Sequence, residues 1–186
     1  MPQCLGILAF QGCIEPHRKA FETLGVECKN VRSRKDLKNI THLVIPGGES
    51  TTMLQFIERE ELSGDLVAFG KSNPVWGICA GAILIAKEVV NPKQRSLGLI
   101  DVLATRNFYG SQTDSFKADI SIDFLGINTT VDFIRAPQVR SLSNAVTVHS
   151  LMSGDPVFLQ QGHIIATSFH IELGEERGIH EYFVGL

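Results

Sequence analysis

The amino-acid sequence predicts a single α/β domain with a mostly parallel central sheet and an antiparallel extension. In residues 1–90, short apolar runs alternate with stretches of helical spacing, which is typical of βαβ units. After residue 90 the pattern changes to short β-type runs separated by turn residues. The 186 residues contain no repeat, linker or low-complexity tract, so one domain spanning 1–186 is the simplest interpretation.

The first half of the chain predicts strands and helices in alternation. The apolar runs 5–10 and 41–45 have the composition of buried parallel strands. The predicted strands are 5–10, 26–31, 41–45 and 74–78, and the predicted helices are 16–24, 50–58, 62–70 and 82–89. Gly25 is the expected C-cap of the first helix, and Ser50 or Thr51 is the expected N-cap of the second.

The second half predicts shorter strands and one closing helix. Residues 117–122 alternate polar and apolar side chains, as an antiparallel strand with one solvated face does. The predicted strands are 103–107, 116–122, 131–134, 145–149, 157–160 and 164–168. The predicted helix is 175–184, with Ile179 and Phe183 facing inward.

Composition and charge argue against several classes of protein. The net charge is −3 without a basic cluster, so we expect no nucleic-acid partner. No apolar run approaches the roughly 18 residues that span a bilayer, so we expect no membrane association. The N-terminus opens into a strand without a targeting pattern, which predicts a cytoplasmic protein. The 4 cysteines show no zinc-site spacing, which predicts free thiols and neither a metal nor a cofactor.

The run Gly77-Ile78-Cys79-Ala80-Gly81 has the layout of a nucleophile elbow, in which a strand ends in a tight turn and a helix follows. The glycines flank Cys79 because the turn is crowded and strained. At a helix N-terminus the dipole and the free N–H groups favour the thiolate, which is the reactive form. The pattern therefore predicts an enzyme with a cysteine nucleophile.

A thiol nucleophile needs a base and an orienting partner, and His170 with Glu172 fits these roles. In an extended chain residues i and i+2 face the same way, so the carboxylate of Glu172 would lie beside the imidazole of His170. By contrast, His17 and His180 fall in surface-type helices, and we expect each to be a solvated or a structural residue and not a catalyst.

The glycine-rich stretch 46–52 predicts a strand-to-helix turn that could also hold an anion on the N–H groups of Gly47 and Gly48. It lacks the Gly-Lys-Ser/Thr ending of a P-loop, so a purely phosphate-binding role loses weight. Arg106 and Arg135 stand at the ends of apolar strands, where they could clamp a substrate carboxylate.

Together these residues resemble the class I, triad-type glutamine amidotransferases. The landmarks are the Pro46-Gly47-Gly48 loop, the Cys79 elbow and a C-terminal His-x-Glu, in that chain order. A narrower resemblance, over essentially the whole chain, is to the glutaminase subunit of pyridoxal 5′-phosphate synthase. It is carried by the runs 10–12, 46–52, 106–112, 114–116 and 133–137.

The resemblance implies a flavodoxin-like three-layer α/β/α sandwich that hydrolyses L-glutamine to L-glutamate and ammonia. By analogy Cys79 is the nucleophile, His170 the acid and base, and Glu172 the orienting carboxylate. The N–H groups of Gly48 and Ala80 would hold the oxyanion, with Gln11 near that loop. The residues that match glutamine-binding positions are Gly47, Gly48, Glu49, Arg106, Ile134 and Arg135.

The resemblance also implies a partner, a (β/α)₈-barrel synthase subunit that receives the ammonia and activates the glutaminase by docking. The chain departs from the family pattern at Ile171, where a proline is expected between the triad residues, and at Cys13, a variable position. Ile171 puts the rigidity of the His170–Glu172 geometry in doubt.

Three alternatives stay open from the sequence. One is the glutaminase of another synthase, such as imidazole glycerol phosphate synthase. Another is a peptidase-like or γ-glutamyl hydrolase of similar fold, and the third is a non-catalytic regulatory subunit.

Overall fold

The computed structural model describes residues 3–109 and 115–186. Its strands are β1 (Cys4–Leu8), β2 (Glu27–Val31), β3 (His42–Ile45), β4 (Val75–Ile78), β5 (Ala86–Val90), β6 (Ile100–Thr105), β7 (Phe116–Ile122), β8 (Ile127–Phe133), β9 (Gln138–Ser141), β10 (Thr147–Met152), β11 (Asp155–Gln161) and β12 (Ile164–Thr167). Its helices are α1 (Ile14–Glu22), α2 (Arg34–Leu37), α3 (Ser50–Arg59), α4 (Ser63–Gly70), α5 (Ala80–Ile85) and α6 (Gly178–Val184).

The central sheet has seven strands in the order β10-β11-β12-β4-β3-β1-β2. The five strands from β12 to β2 are parallel to one another, and β11 and β10 extend the sheet in antiparallel fashion. Two small sheets, β5-β6-β9 and β7-β8, accompany it. The expectation of a mostly parallel sheet with an antiparallel extension is confirmed.

Alternate residues of the central strands enter two separate cores, one on each face of the sheet. Leu43 and Ile45 of β3 pack with the apolar side chains of α3, α4 and α5, whereas Val44 packs with those of α1 and α6. Because successive side chains of a strand point to opposite faces, this division places a helical layer on each side. The result is the three-layer α/β/α sandwich that the resemblance implied.

The helix expected over 82–89 is wrong in its second half. Helix α5 ends at Ile85, and Ala86–Val90 form β5, which pairs in parallel with β6. Residues 86–90 combine the helix formers Ala86, Lys87 and Glu88 with the β-branched pair Val89 and Val90, so pairing with β6 decides between helix and strand.

Helix ends also differ from expectation. The N-cap of α3 is Glu49, whose side chain accepts a hydrogen bond from the Thr52 N–H at 2.8 Å, and not Ser50 or Thr51. Thr23 is the C-cap of α1, and Gly25 follows it with a φ of +73°, a value that favours glycine. Helix α6 begins at Gly178, three residues later than predicted.

Of the two expected roles for His17 and His180, solvated or structural, the structure shows the structural one, because both side chains are 0% exposed. They lie between α1, α6 and β4, where the His180 ring is 4.9 Å from the Phe21 ring and 5.2 Å from Trp76. The aromatic side chains of three elements enclose them, which the local sequence of either helix does not indicate. None of the described helices is long and apolar enough to cross a membrane.

Candidate active site

Cys79 stands at the sharp turn between β4 and α5, with a φ of +51° and a ψ of −103°. Such a conformation is strained for a residue with a side chain. The flanking glycines have no room for one. A Cβ on Gly77 would lie 2.6 Å from the carbonyl oxygen of Gly81, and a Cβ on Gly81 would lie 1.8 Å from that of Ile45. The local geometry is that of a nucleophile elbow.

His170 follows β12 and is held by an isolated antiparallel bridge to Asp132 on β8. Its N–H donates to the Asp132 carbonyl at 2.8 Å. On the ring, Nδ1 lies 2.6 Å from Oε1 of Glu172, and both side chains are buried. Ile171, in place of the expected proline, is itself buried and leaves this contact intact. The contact with the carboxylate occupies Nδ1 and leaves Nε2 as the second ring nitrogen.

Cys79 and His170 come together in one cavity of about 160 Å³. The cavity is lined by Gln11, Cys13, Gly48, Glu49, Ser50, Cys79, Ala80, Ile83, Arg106, Asn107, Ile134, Arg135 and His170. Of the residues predicted for the site, Gly47 and Glu172 alone are absent from this lining. Glu172 lies behind the imidazole, and Gly47 lies against its edge, where a Cβ would be 2.2 Å from Cε1 of His170.

The loop after β3 is fixed against the turn after β1. The Gly47 carbonyl accepts a hydrogen bond from the Cys13 N–H at 2.9 Å. A Cβ on Gly12 would lie 1.9 Å from that carbonyl oxygen, so Gly12 must be a glycine for the approach to occur. The side chain of Gln11 accepts a hydrogen bond from the Glu49 N–H at 2.7 Å. Gln11 therefore joins the turn after β1 to the loop after β3.

Charged groups of both signs line the cavity. Nη2 of Arg106 lies 3.4 Å from Oε1 of Glu49. Partial burial acts to raise the pKa of Glu49, but hydrogen bonds from Thr51 and Thr52 outweigh it and hold the pKa below its usual value.

Arg135 has a φ of +47°, and the carbonyl oxygen of the preceding Ile134 is 3.6 Å from Sγ of Cys79. The cavity can thus receive a ligand that carries both an ammonium and a carboxylate.

The buried side chains of His170 and Glu172 are held in their charged forms. Burial alone would lower the pKa of His170, but interactions with Cys13, Cys79 and Glu172 raise it. Burial alone would raise the pKa of Glu172, but His17 and the hydrogen bond to His170 lower it to about 2. Together the two residues form an ion pair in which the imidazolium can donate a proton into the cavity.

The sequence analysis missed two side chains at the site, Cys13 and His17. Nε2 of His17 lies 3.5 Å from Oε1 of Glu172, with both side chains fully buried. Cys13 Sγ, a ring nitrogen of His170 and a carboxylate oxygen of Glu172 lie within 4.8 Å of one another. The spacing of four residues between Cys13, the residue before α1, and His17 within α1 was the available signal.

Part of one predicted motif lies outside the described residues. The structure includes Arg106, Asn107, Phe108 and Tyr109, but not Gly110, Ser111, Gln112 or Asp114.

Comparison with known proteins identifies the family. The sequence model of the SNO glutamine amidotransferase family matches residues 7–186. The chain belongs to this family. The pyridoxal 5′-phosphate synthase subunit PdxT of Solibacter usitatus (strain Ellin6076) is 42% identical over 97% of each chain. The subunit of the same name from Francisella tularensis subsp. tularensis (strain WY96-3418) is 43% identical over 100% of both.

Two solved structures share this fold. A crystal structure described as a glutamine amidotransferase superposes with a TM-score of 0.91 at 37% identity, covering 98% of this chain and 99% of its own. PurLQS from Thermotoga maritima shares the fold, with a TM-score of 0.78 at 14% identity. Family membership decides against the peptidase-like and γ-glutamyl hydrolase alternatives.

Proposed function

We propose that this protein hydrolyses L-glutamine to L-glutamate and ammonia, as a single amidotransferase domain, and passes the ammonia to a synthase subunit that makes pyridoxal 5′-phosphate. The observation that carries the proposal is the meeting of a strained cysteine with a buried His–Glu pair in one cavity. The relatives named as pyridoxal 5′-phosphate synthase subunits, at 42% and 43% identity over nearly the full length, support the synthase over other ammonia acceptors.

The chemistry begins with attack by the Cys79 thiolate on the side-chain amide carbon of glutamine. The N–H groups of Gly48 and Ala80 stabilise the oxyanion of the tetrahedral intermediate. His170 gives its proton to the leaving ammonia, and a thioester remains on the sulfur. The imidazole then takes a proton from water, which attacks the thioester and releases glutamate. Glu172 keeps the ring in one tautomer and orientation through both steps.

Recognition of glutamine follows from the charges in the cavity. The carboxylate of Glu49 suits the α-ammonium group, and the guanidinium groups of Arg106 and Arg135 suit the α-carboxylate. Backbone groups of Gly47 and Ile134 complete the binding surface. Because the side-chain amide must then point towards Cys79, this arrangement selects glutamine by its α-amino acid end and by its length.

Ammonia released into water would be protonated at neutral pH and lost. Transfer to the synthase therefore requires a docked partner, which we propose to be a (β/α)₈-barrel subunit, with the complex working in the cytoplasm. We expect glutamine hydrolysis to be weak in the isolated chain and to rise when the cognate synthase is added. A rate that does not respond to the synthase would favour the glutaminase of a different synthase.

Covalent labelling by a glutamine-like diazoketone tests the catalytic assignment. We expect one label per chain, located by peptide mapping on Cys79, and protection by excess glutamine. The Cys79→Ala variant should take no label and lose glutamine hydrolysis, while its circular dichroism spectrum stays that of the wild type. Cys28→Ala serves as the matched control and should keep both label and activity. Labelling on another cysteine, or near-normal turnover by Cys79→Ala, would contradict the proposal.

A further inference from the structure

A second histidine lies beside Glu172, and the proposed reaction gives it no role. Nε2 of His17 is 3.5 Å from Oε1 of Glu172, the same oxygen that Nδ1 of His170 contacts at 2.6 Å. The side chains of His17 and Glu172 are both 0% exposed. One carboxylate oxygen is therefore shared by two imidazole rings, one from α1 and one from the segment after β12.

Three polar atoms at this contact have no hydrogen-bond partner among the described residues. They are both ring nitrogens of His17 and Oε2 of Glu172. A buried polar atom without a partner costs free energy. The ring of His17 is enclosed by the rings of Trp76 and His180, whose centroids are 5.9 and 6.0 Å away. The acceptor next to His17 is therefore the carboxylate of Glu172.

The ring of His17 is uncharged near neutral pH. Burial lowers its pKa, and the charge of His170 adds to this effect against the opposing effect of Glu172. A neutral imidazole carries one proton, and a neighbouring carboxylate favours the tautomer that presents the N–H to it. The distance of 3.5 Å exceeds an ordinary N–H···O hydrogen bond by about half an ångström. A small rotation of either side chain closes that gap.

The reaction creates a need for this donor. In the proposed function, on which this inference rests, His170 loses its positive charge when it gives its proton to the leaving ammonia. The carboxylate of Glu172 then stays buried without a cation against it. A buried anion is stable only when other groups donate hydrogen bonds to it.

We propose that His17 is a positioning residue that donates a hydrogen bond to Glu172 while His170 is neutral. The bond keeps the carboxylate ionised and against Nδ1 of His170 until the imidazole takes a proton from water. The chain of nucleophile, base and carboxylate thus gains a fourth member. His17 acts through Glu172 and touches neither the substrate nor the reacting atoms.

Other titratable or charged side chains surround the two histidines and Glu172. They are Cys13 and Cys79 in the cavity, Asp132 on β8, and Arg177 and His180 at α6. Of the described side chains, that of His170 alone is hydrogen-bonded to the carboxylate of Glu172. Replacing His17 therefore removes the second available donor and leaves the first in place.

Steady-state kinetics of three variants, measured with the cognate synthase, test the proposal. His17→Phe keeps a ring and removes the donor. We expect kcat to fall about 10-fold or more, as loss of one hydrogen bond to a charged group does, with KM within about twofold of wild type. His17→Gln carries an N–H at about the reach of Nε2 and should restore most of the rate. His17→Asn is one methylene shorter and should not.

The pH profile separates this role from a purely structural one. The N–H of His17 stabilises Glu172 most when His170 is neutral, so its loss should raise the pKa of the His170 imidazolium. The acid limb of kcat should then move to higher pH by on the order of one unit in His17→Phe, but not in His17→Gln. His180→Phe is the matched control, because His180 is equally buried in the same core. It should leave the acid limb in place.

A measurement without turnover keeps the two proposals distinguishable. NMR titration of the histidine rings in the inactive Cys79→Ala variant follows His170, whose signal is identified by its loss in His170→Asn. We expect the ring to titrate at a higher pH when His17→Phe is added. That shift in a chain that never hydrolyses glutamine refutes the proposed function alone. An active enzyme without the shift refutes the role of His17 alone.

Equal kcat values for the Phe, Gln and Asn variants would also overturn the role of His17, as would an equal displacement of the acid limb in His180→Phe. Melting temperatures show which variants fold. If His17→Phe does not fold, the comparison of His17→Gln with His17→Asn decides, since both are polar and differ in the reach of the donor.

Discussion

At the scale of single residues, the strain at Cys79 ties the reactive atom to the backbone. A φ of +51° with a ψ of −103° is costly for any residue with a Cβ, on the order of 1–3 kcal/mol. The surrounding contacts enforce it, because neither Gly77 nor Gly81 leaves space for the turn to relax. The backbone strain at Cys79 therefore lowers the free energy of unfolding, and in return the side chain projects from the end of the sheet.

This strain predicts an unusual stability order. The free energy of unfolding of Cys79→Gly should exceed that of Cys79→Ala by on the order of 1 kcal/mol, because glycine adopts a positive φ at little steric cost. Urea denaturation of the two inactive variants measures the difference. At Ala82, inside α5, the same change from alanine to glycine should cost about 1 kcal/mol. A clearly less stable Cys79→Gly would mean that the turn is not strained in solution.

At the scale of elements, the site depends on how closely α5 approaches the sheet. Gly81 lies on the first turn of α5 directly against the end of β3, whose loop carries Gly47 and Gly48. Since α5 spans only Ala80–Ile85, it has little length over which to adjust. The close contact therefore sets the distance between the elbow and the loop that would hold the oxyanion.

Gly81→Ala tests that contact. The added methyl would lie 1.8 Å from the Ile45 carbonyl oxygen, a backbone atom, so we expect a loss of several kcal/mol, as overpacked cores show. Gly64→Ala is the matched control in α4, where a Cβ meets nothing within 4 Å. There alanine should stabilise the protein by up to about 1 kcal/mol. Thermal or urea melts compare the two, and equal effects would contradict the packing of α5 on β3.

At the scale of the whole molecule, histidines are part of the core between the sheet and the layer of α1 and α6. Neither ring nitrogen of His180 has a hydrogen-bond partner, and burial, with the nearby His17 adding to it, lowers the pKa of His180 to about 3. An unfolded chain would protonate the same ring near pH 6.5. The folded state therefore binds fewer protons than the unfolded state between these values.

Stability should consequently fall as the pH drops below about 6.5, and the contribution of His180 should stop falling near pH 3. From pH 7 to pH 5 one such histidine costs about 2 kcal/mol. His180→Phe removes the titrating group among aromatic neighbours, so its free energy of unfolding should decline less over this range. Urea denaturation of the wild type and of His180→Phe at pH 7 and pH 5 measures the two declines. An identical decline in the two proteins would refute the role of His180.

The sequence by itself determined the α/β class, the order of most strands and the positions of Cys79, His170 and Glu172. These features are local, because the period of apolar residues and the spacing of glycines express the backbone demands of one segment. Only the tertiary structure decided that Ala86–Val90 is a strand, since the partner strand β6 begins ten residues later in the chain. It also decided that His17 is buried beside Glu172 and that Cys13 meets His170. Those contacts join residues more than 150 positions apart, and packing between elements, which no single stretch of sequence encodes, brings them together.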